Sequence, residues 1–462
     1  MKFFRDFTVL AGGQTVSKLL GFLAFAWLAR ALDPVHYGAV EYIIGLAAMF
    51  TMIVEGGLDV VGTRRVAHRP TDLAPLAFQV FVARLLFALV CVPSFVIATT
   101  LTVHDTIPHG LVWLYALSLL AIPWRQLWLF QATGRMSVIA NAEIIRMTVF
   151  SAIVWLAVRR SEDVLMVGWA EIAAVTTMAL FYLILQHRNI VPVRFTGSIA
   201  GFGLLLREGV TVGSTSLVWA LCQFTPLFLV ASLVGGVETA WFAGAARITG
   251  SLVQFSNIYH FNLYPVVSRA HAQADGALGH ILKRSLRVTA WGGTFVALVL
   301  TVFAVPLVRL TLGPKLVDAA PLLQILAWTI PVALWSGHSR WALAAAGAQT
   351  RVLASQIAGL VATLVSCLVL GKMFDGPGYA AGSLLGALTV WLVAHQFARR
   401  RQCAPPPFYL ILKPLALAGA IILCVGYFAL PLWQAVLAVG AYALAAPLLD
   451  RALLKDLAQL SV

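Results

Sequence analysis

Long apolar stretches, separated by short polar and basic segments, run through almost the whole chain. A helix needs about 20 mostly apolar residues to cross a bilayer, because each residue adds about 1.5 Å and the hydrocarbon core is about 30 Å thick. Fourteen stretches meet this requirement and predict fourteen membrane-spanning helices. They lie near residues 8–32, 39–62, 76–102, 110–131, 139–158, 164–186, 207–233, 240–267, 288–312, 320–345, 351–374, 377–397, 413–430 and 432–449.

The last two stretches belong to one uncharged run, from Pro414 to Leu449. As a single helix this run would be about 54 Å long, nearly twice the thickness of the hydrocarbon core. It therefore predicts two helices that turn near Pro431, because a proline interrupts helical hydrogen bonding.

Composition supports the membrane interpretation. Of the 462 residues, 61% are hydrophobic and 11% are charged, and the mean hydropathy is +0.90. A soluble domain carries about 25% charged residues, and its interior is too small to hide this much apolar surface. The net charge of +14 would suggest a nucleic-acid partner in a soluble chain. In a membrane protein it is explained by Lys and Arg on the cytoplasmic side, so we predict no nucleic-acid partner.

The distribution of positive charge predicts the orientation. If both termini are cytoplasmic, the cytoplasmic segments hold 20 of the 32 Lys and Arg residues, and the outer loops and helix ends hold six. This bias predicts cytoplasmic termini. The longest polar segments have about 20 residues, too few for a soluble catalytic domain, so we predict that the protein is not an enzyme and has no catalytic residues. The five cysteines show no metal-binding spacing, and we predict neither metal nor cofactor.

The first six predicted spans resemble the next six. Residues 60–68 (VVGTRRVAH) resemble residues 266–271 (VVSRAH), and Ile122-Pro123 resembles Ile330-Pro331. Because six is an even number, both copies would have the same orientation and enclose a central cavity. The predicted domains are an N-terminal lobe at 1–187, a cytoplasmic linker with an amphipathic segment at 188–206, a C-terminal lobe at 207–400, and the last two spans with a cytoplasmic tail at 401–462.

Four segments resemble a known family: residues 12–22 (GGQTVSKLLGF), 28–38 (LARALDPVHYG), 55–65 (EGGLDVVGTRR) and 241–248 (WFAGAARI). The chain resembles the oligosaccharide flippases of the polysaccharide-transporter family (Wzx-like), within the multidrug/oligosaccharidyl-lipid/polysaccharide exporter superfamily. The most specific element is the Leu-x-Pro-x-x-Tyr-Gly turn, which ends at Gly38.

The resemblance implies an all-α integral membrane protein of the bacterial inner membrane. It implies two pseudo-symmetric six-helix lobes in a V-shaped, MATE-like arrangement, with a C-terminal helix pair. The implied function is to flip an undecaprenyl-diphosphate-linked oligosaccharide, a repeat unit of O-antigen, capsule or exopolysaccharide, from the cytoplasmic to the periplasmic leaflet by alternating access. The implied partners are this lipid-linked substrate, membrane lipids and other polysaccharide assembly proteins. Protons, sodium ions and the membrane potential are all compatible driving forces.

The same resemblance implies a cavity between the first, second, seventh and eighth spans, and these spans carry polar stripes. The second span places Glu41, Glu55 and Asp59 at helical spacing. Charged residues in lipid are costly, so these acids should face water or a cation. We predict that they are switchable partners of the cavity arginines. The alternative is that Glu55 and Asp59 only pair with Arg64 or Arg84 near a helix end.

A diphosphate needs two or more cationic donors, and an arginine fork matches its oxygens. The sequence offers intramembrane cations, polar partners on the eighth span, and one deep tryptophan for sugar stacking. These predicted substrate-binding residues are Lys18, Arg30, Arg84, Arg125, Arg247, Gln254, Asn257, Arg340 and Trp219. Arg30, Arg84 and Arg125 have an alternative explanation, namely that they extend to the interface or pair within one lobe.

Two other functions fit the composition. A cation- or proton-coupled exporter of small molecules would need an acidic cavity with few buried arginines, whereas six Lys and Arg lie within the spans here. A membrane enzyme of glycan polymerisation or ligation would need a sizeable outer loop, but the outer segments, such as 103–109 and 313–319, are short. Both alternatives are less consistent with this sequence than a flippase.

Overall fold

The computed structural model describes residues 2–68, 73–102, 107–190, 201–273, 277–401, 403 and 407–460, and these are almost entirely helical. They divide into two compact units, Met1–Ala240 and Trp241–Val462. The predicted linker at 188–206 lies largely outside the described residues. The predicted division into lobes stays a prediction.

Within its described residues, the first unit is built from nine α-helices and the start of a tenth. Helix α1 packs along α7, and α7 packs against α8, while α2 contacts both α4 and α9. The segment between α5 and α6 is a 3-10 helix, Leu119–Trp124, that contains Pro123. The helices are α1 (Lys2–Ala31), α2 (Pro34–Glu55), α3 (Leu58–His68), α4 (Leu73–Thr102), α5 (His109–Ser118), α6 (Leu127–Ala132), α7 (Met136–Ala157), α8 (Val164–Asn189) and α9 (Phe202–Leu233).

The second unit contains nearly all of α10 and the helices that follow it. Helix α11 packs against α14 and α16, and α14 packs against α15. A 3-10 helix, Pro314–Ala319, precedes α13. The helices are α10 (Gly236–Gln273), α11 (Ala277–Val302), α12 (Ala304–Thr311), α13 (Ala320–Leu326), α14 (Thr329–Ala345), α15 (Gln349–Arg400), α16 (Tyr409–Tyr427), α17 (Leu432–Leu449) and α18 (Ala452–Leu460).

The predicted all-α membrane architecture is confirmed. In the described part of the chain, ten helical segments are long and apolar enough to cross a membrane. One of them contains both predicted spans 351–374 and 377–397, and the count of fourteen stays a prediction. The ten segments are Pro34–Val66, Leu73–Thr102, Met136–Ala157, Ser161–Arg188, Phe202–Leu233, Ala277–Val302, Pro314–Ala345, Gln349–Arg400, Tyr409–Tyr427 and Leu432–Leu449.

Helix α15 is a helical hairpin. Its 52 residues would extend about 78 Å as a straight rod, but the backbone reverses at Asp375, where φ is 49°. Close contacts across the hairpin follow the glycine ridge Gly378, Gly382 and Gly386. A Cβ atom on Gly382 would lie 2.6 Å from the Cys367 sulfur and 2.8 Å from the Cys367 nitrogen. The glycines therefore let the two arms approach at backbone distance, as small residues do in membrane helix pairs.

The turn predicted near Pro431 is also present. Helix α16 ends at Tyr427, Ala429 has φ of 45°, and Pro431 is the residue that precedes α17. Proline at this point blocks continuation of the preceding helix and leaves the next helix free to start. The uncharged run is therefore two helices, as its length requires.

The turn between α1 and α2 explains the Leu-x-Pro-x-x-Tyr-Gly motif. Asp33 caps α2 by accepting a hydrogen bond from the His36 backbone nitrogen at 3.0 Å, and Pro34 occupies the first turn of the helix. The Asp33 backbone nitrogen donates to the Ser161 hydroxyl at 2.8 Å. Gly38 is required because a Cβ atom there would lie 2.9 Å from the Ala240 nitrogen. The motif is thus a helix cap followed by a close backbone approach.

We expect Asp33→Ala to destabilise the protein by about 1 kcal/mol, the usual effect of losing a helix cap. Burial alone would raise the pKa of Asp33, but hydrogen bonds from Ser161 and His36 outweigh it and lower the pKa to about 2. Because this folded-state pKa is below the ordinary value of 3.8, the stabilisation is present above about pH 4 and is lost as the pH falls toward 2. Unfolding titrations of both proteins across this range test it, and a difference that does not shrink on acidification would contradict it.

Candidate functional site

The second predicted span is not one continuous helix. The prediction that Glu41, Glu55 and Asp59 lie on a single helical stripe is therefore wrong. Helix α2 ends at Glu55, and α3 begins at Leu58, because Gly56 (φ 55°) and Gly57 (φ 67°) are left-handed. A Cβ atom on Gly57 would lie 2.6 Å from the Gly209 oxygen of α9, so this position needs glycine. Glu55 and Asp59 therefore lie on either side of a break and face different arginines.

Asp59 forms an ion pair with Arg84. The Asp59 Oδ1 and Arg84 Nη2 atoms are 2.7 Å apart, and the Arg84 side chain is only 1% exposed. The second guanidinium nitrogen, Nη1, donates to the backbone oxygen of Arg125 at 2.8 Å. Arg84 thus links α3, α4 and the segment after Pro123. A charge this deeply buried persists only when it is paired and hydrogen-bonded.

Glu55 forms a second ion pair, with the Arg125 guanidinium. Arg125 follows the 3-10 helix that contains Pro123, and this interruption places its side chain beside the end of α2. The two side chains are about one-fifth exposed, in contrast to Arg84. We call Glu55, Asp59, Arg84 and Arg125 the charged cluster. Its formal charge is zero, with two carboxylates matched by two guanidinium groups.

Glu41 lies apart from the charged cluster. It is 4% exposed, and its Oε1 accepts a hydrogen bond from the Tyr37 hydroxyl at 2.9 Å. Arg64, the other predicted partner for the acids, instead pairs with Glu208 of α9 at 2.8 Å, and Arg65 pairs with the same carboxylate at 3.2 Å. The alternative prediction is that Asp59 pairs with Arg64 or Arg84 near a helix end. The structure contains the pair of Asp59 with Arg84, whereas Arg64 pairs with Glu208.

The remaining predicted site residues are distributed over four helices. In the first unit, Lys18 and Arg30 are exposed on α1, and Trp219 is half-buried on α9. In the second unit, Gln254 and Asn257 of α10 are linked by a hydrogen bond, with the Asn257 amide donating at 3.3 Å. Arg247 on α10 and Arg340 on α14 are half-buried. The roles of these residues in substrate binding stay predictions.

Sequence reasoning missed a polar network in the second unit. The side chains of Tyr259, His260, Ser285 and His338 come from α10, α11 and α14, and contact one another. The available signal was the polar run Ser336–Arg340 within an apolar segment, together with His260 on the polar stripe of the eighth span. The contact between His260 and His338 could not be predicted from local sequence, because the two residues are 78 positions apart.

Residues 3–271 match the model of the family described as polysaccharide biosynthesis protein. Over 329 residues the chain is 22% identical to the "Putative O-antigen transporter" of Escherichia coli (strain K12), covering 70% of this chain and 79% of that protein. The fold is similar to that of the lipid II flippase MurJ in an inward closed conformation, with a TM-score of 0.78 at 12% identity, covering 96% of this chain and 99% of MurJ. It is also similar to an inward-facing multidrug resistance MATE family transporter of the MOP superfamily, with a TM-score of 0.70 at 15% identity and coverage of 83% and 94%.

Proposed function

The chain belongs to the polysaccharide biosynthesis protein family, and on that premise we propose that it flips an undecaprenyl-diphosphate-linked oligosaccharide from the cytoplasmic to the periplasmic leaflet by alternating access. The relative named for O-antigen transport and the flippase with a similar fold support this cargo class. The proposed location is the bacterial inner membrane, with both termini cytoplasmic. Other polysaccharide assembly proteins are proposed as partners.

The observation that carries the proposal is the ion pair between Glu55 and Arg125. Both side chains are about one-fifth exposed, so an incoming anion can reach the guanidinium. Two oxygens of a phosphate group can accept from one guanidinium, as the two oxygens of a carboxylate can, and a diphosphate carries more negative charge. We infer that the diphosphate displaces Glu55 from Arg125, and that Glu55 returns when the cargo leaves. Exchange of one anion for another keeps the arginine paired throughout, which avoids the cost of an unpaired charge.

Asp59 and Arg84 have a different role in this proposal. Arg84 is sealed from solvent, and its two contacts fix the break between α2 and α3 next to the Arg125 segment. The pair therefore holds the exchanging pair in place and does not itself bind cargo. Glu41, bonded to Tyr37, is proposed as a third acid of the switch on the same helix as Glu55.

Predicted substrate-binding residues of the second unit, and of α1 and α9 in the first, are also proposed as contacts for the cargo. Arg247 and Arg340 supply cationic donors, and the Gln254–Asn257 pair offers amide groups for sugar hydroxyls. In the first unit, Lys18 and Arg30 on α1 are additional cations, and the half-buried indole of Trp219 is suited to sugar stacking. Cations in these positions favour an anionic cargo and would repel the organic cations that a multidrug exporter carries.

A leaflet-transfer assay tests the function. The purified chain is reconstituted in liposomes with a fluorescent undecaprenyl-diphosphate-linked oligosaccharide, and transfer is followed by a quencher that reaches only the outer leaflet. We expect Arg125→Gln and Arg247→Gln each to slow transfer about tenfold or more, because a hydrogen bond to a charged group contributes about 1.5–3 kcal/mol. The matched control is Arg160→Gln, since Arg160 lies in an exposed turn.

Transfer by the wild-type protein, with slow R125Q and R247Q variants and an unchanged R160Q control, supports the proposal. Transfer of a fluorescent organic cation, with no transfer of the lipid-linked sugar, would instead assign the protein to small-molecule export.

A further inference from the structure

Three side chains of the second unit, two of them fully buried, form a continuous hydrogen-bonded chain. The Tyr259 hydroxyl lies 2.6 Å from the Ser285 hydroxyl, which lies 2.7 Å from Nε2 of His338. Ser285 and His338 are each 0% exposed, whereas Tyr259 is half-buried. The chain therefore runs from a partly accessible phenol on α10, through α11, to a sealed imidazole on α14.

The backbone fixes the tautomers of both histidines. Nδ1 of His338 lies 2.8 Å from the Leu334 oxygen, and Nδ1 of His260 lies 2.7 Å from the Ser256 oxygen. A carbonyl accepts only, so each Nδ1 must carry hydrogen. Nε2 of His338 is then the acceptor for Ser285. Nε2 of His260 lies 3.4 Å from Nδ1 of His338. If His260 Nε2 were also protonated, its N–H group would point at the N–H group of His338 Nδ1. Only His338 can therefore take an additional proton without two donors facing each other.

The two hydroxyl groups can reverse their direction. In the neutral network, Tyr259 donates to Ser285, and Ser285 donates to His338. When a proton adds to the lone pair of His338 Nε2, that nitrogen becomes a donor, and Ser285 can accept its hydrogen bond and donate to Tyr259. The same reversal passes a proton from Tyr259 to His338 by successive shifts, and a proton taken up from water at the partly accessible Tyr259 hydroxyl replaces the one that Tyr259 gives up. The proton is the only species gained or lost, and every contact between heavy atoms is retained.

The surroundings of the network are apolar or cationic. Arg340, two residues after His338, acts electrostatically on His260. Among the described residues, no carboxylate pairs with either imidazole. Other titratable groups on the neighbouring helices contact other partners: Lys283 lies over the Tyr409 ring, Arg284 and Arg287 pair with Asp456, His395 packs on Phe408, Arg351 lies over Phe397, and Lys413 donates to the Leu449 oxygen.

The packing also brings the two histidine rings together. A Cβ atom on Gly337 would collide with the His260 ring, so glycine at this position lets His260 lie directly on the α14 backbone. The two ring centroids are 4.9 Å apart, and the ring planes are nearly perpendicular, at 86°. Burying two imidazoles and a serine hydroxyl in a membrane-embedded unit is costly, and such groups usually mark ion or proton pathways.

We propose that His338, with Ser285 and Tyr259, forms a buried proton-binding site through which the protein takes up and releases one proton during its conformational cycle. The site lies on three helices of one unit, so relative movement of α10, α11 and α14 would change its access to water. Proton binding at this site does not depend on the identity of the cargo. The coupling of that proton to transport rests on the proposed function.

The binding step is tested by nitrogen NMR of the full chain, labelled at its histidines, in nanodiscs of phosphatidylethanolamine and phosphatidylglycerol. We expect one signal, absent from H338Q, to change from the neutral Nδ1–H tautomer to imidazolium as the sample is acidified from about pH 8. Ser285→Ala should lower the midpoint of this signal by about one pH unit, a tenfold loss of proton affinity, because the imidazolium loses its acceptor. His395→Gln is the control, since His395 is a buried histidine of this unit that lies outside the network.

A His338 signal that stays neutral down to the lowest pH at which the protein remains folded, or whose midpoint is the same in S285A, overturns the site. If H338Q fails to fold, the signal that shifts in S285A and not in H395Q identifies the histidine. Coupling is then tested in the leaflet-transfer assay: an imposed proton gradient should change the wild-type and H395Q rates at least threefold and leave H338Q unchanged. Equal responses in wild type and H338Q overturn the coupling. Absence of transfer by the wild-type protein would reject the proposed cargo and leave the NMR result to decide the site.

Discussion

Replacing Asp59 with asparagine should lower the free energy of unfolding by about 3–5 kcal/mol, the effect of leaving a buried charge without its partner. Arg84 is 1% exposed at its side chain, and its contact with Asp59 is 2.7 Å. The backbone oxygen of Arg125 would remain as its acceptor, but a neutral carbonyl compensates the charge only in part. The free energy can be measured by SDS titration of the purified protein in mixed micelles, with tryptophan fluorescence as the signal.

Glu55→Gln is the matched control, because it neutralises the neighbouring acid of the same cluster. Both side chains of the Glu55–Arg125 pair are about one-fifth exposed, so water can partly replace the carboxylate, and we expect a loss of about 1 kcal/mol. The double variant Asp59→Leu with Arg84→Met should recover most of the stability lost in D59N, since removing both charges removes the unpaired one. Equal losses in D59N and E55Q would contradict a structural role specific to the Asp59–Arg84 pair.

Gly382→Leu should destabilise the second unit by about 3 kcal/mol, at the upper end of the usual cost of overpacking. The new side chain would meet the nitrogen and Cα atoms of Cys367, at 2.8 and 2.9 Å from its Cβ atom, and a backbone does not move aside as the end of a side chain does. The two arms of the α15 hairpin would have to separate, with loss of contact along the ridge. The SDS titration described for D59N measures the loss.

The control for this substitution is Gly419→Leu, in α16. A Cβ atom on Gly419 would have no neighbour within 4 Å, so the larger side chain has room, and we expect a change within about 0.5 kcal/mol. If G382L and G419L have the same stability, the glycine ridge is not what holds the hairpin together.

Several elements of the fold follow from local sequence alone. The turn at Pro431 is required by the length of an uncharged run, and the cap at Asp33 follows from a proline in the first turn after an acceptor side chain. The spacing of Gly378, Gly382 and Gly386 also predicts a close helix contact, which the α15 hairpin contains. Each of these depends on residues within a few turns of one another, so the physical constraint is present in the sequence itself.

The charged cluster shows where local periodicity is insufficient. A spacing of four residues places Glu55 and Asp59 on one face of an uninterrupted helix, but Gly56 and Gly57 adopt left-handed angles and separate them. These angles are stable because Gly209 and Gly213 of α9 leave space for the break, and those residues are about 150 positions away. The need for a break is therefore set by tertiary packing and not by the α2 sequence.

By itself the sequence determined that this chain resides in a membrane, where its helices turn, and which charged groups enter the apolar spans, because transfer of charge and of peptide groups into lipid depends on composition and length. The tertiary structure decided which charges neutralise each other. Arg84 with Asp59 and Arg125 with Glu55 are such pairs, and His338 with Ser285 is a hydrogen bond of the same kind; each joins segments that are distant in the sequence. The energy of a buried charge or hydrogen bond depends on distance and on exclusion of water at a few ångströms, and only the packing of distant helices sets those two quantities.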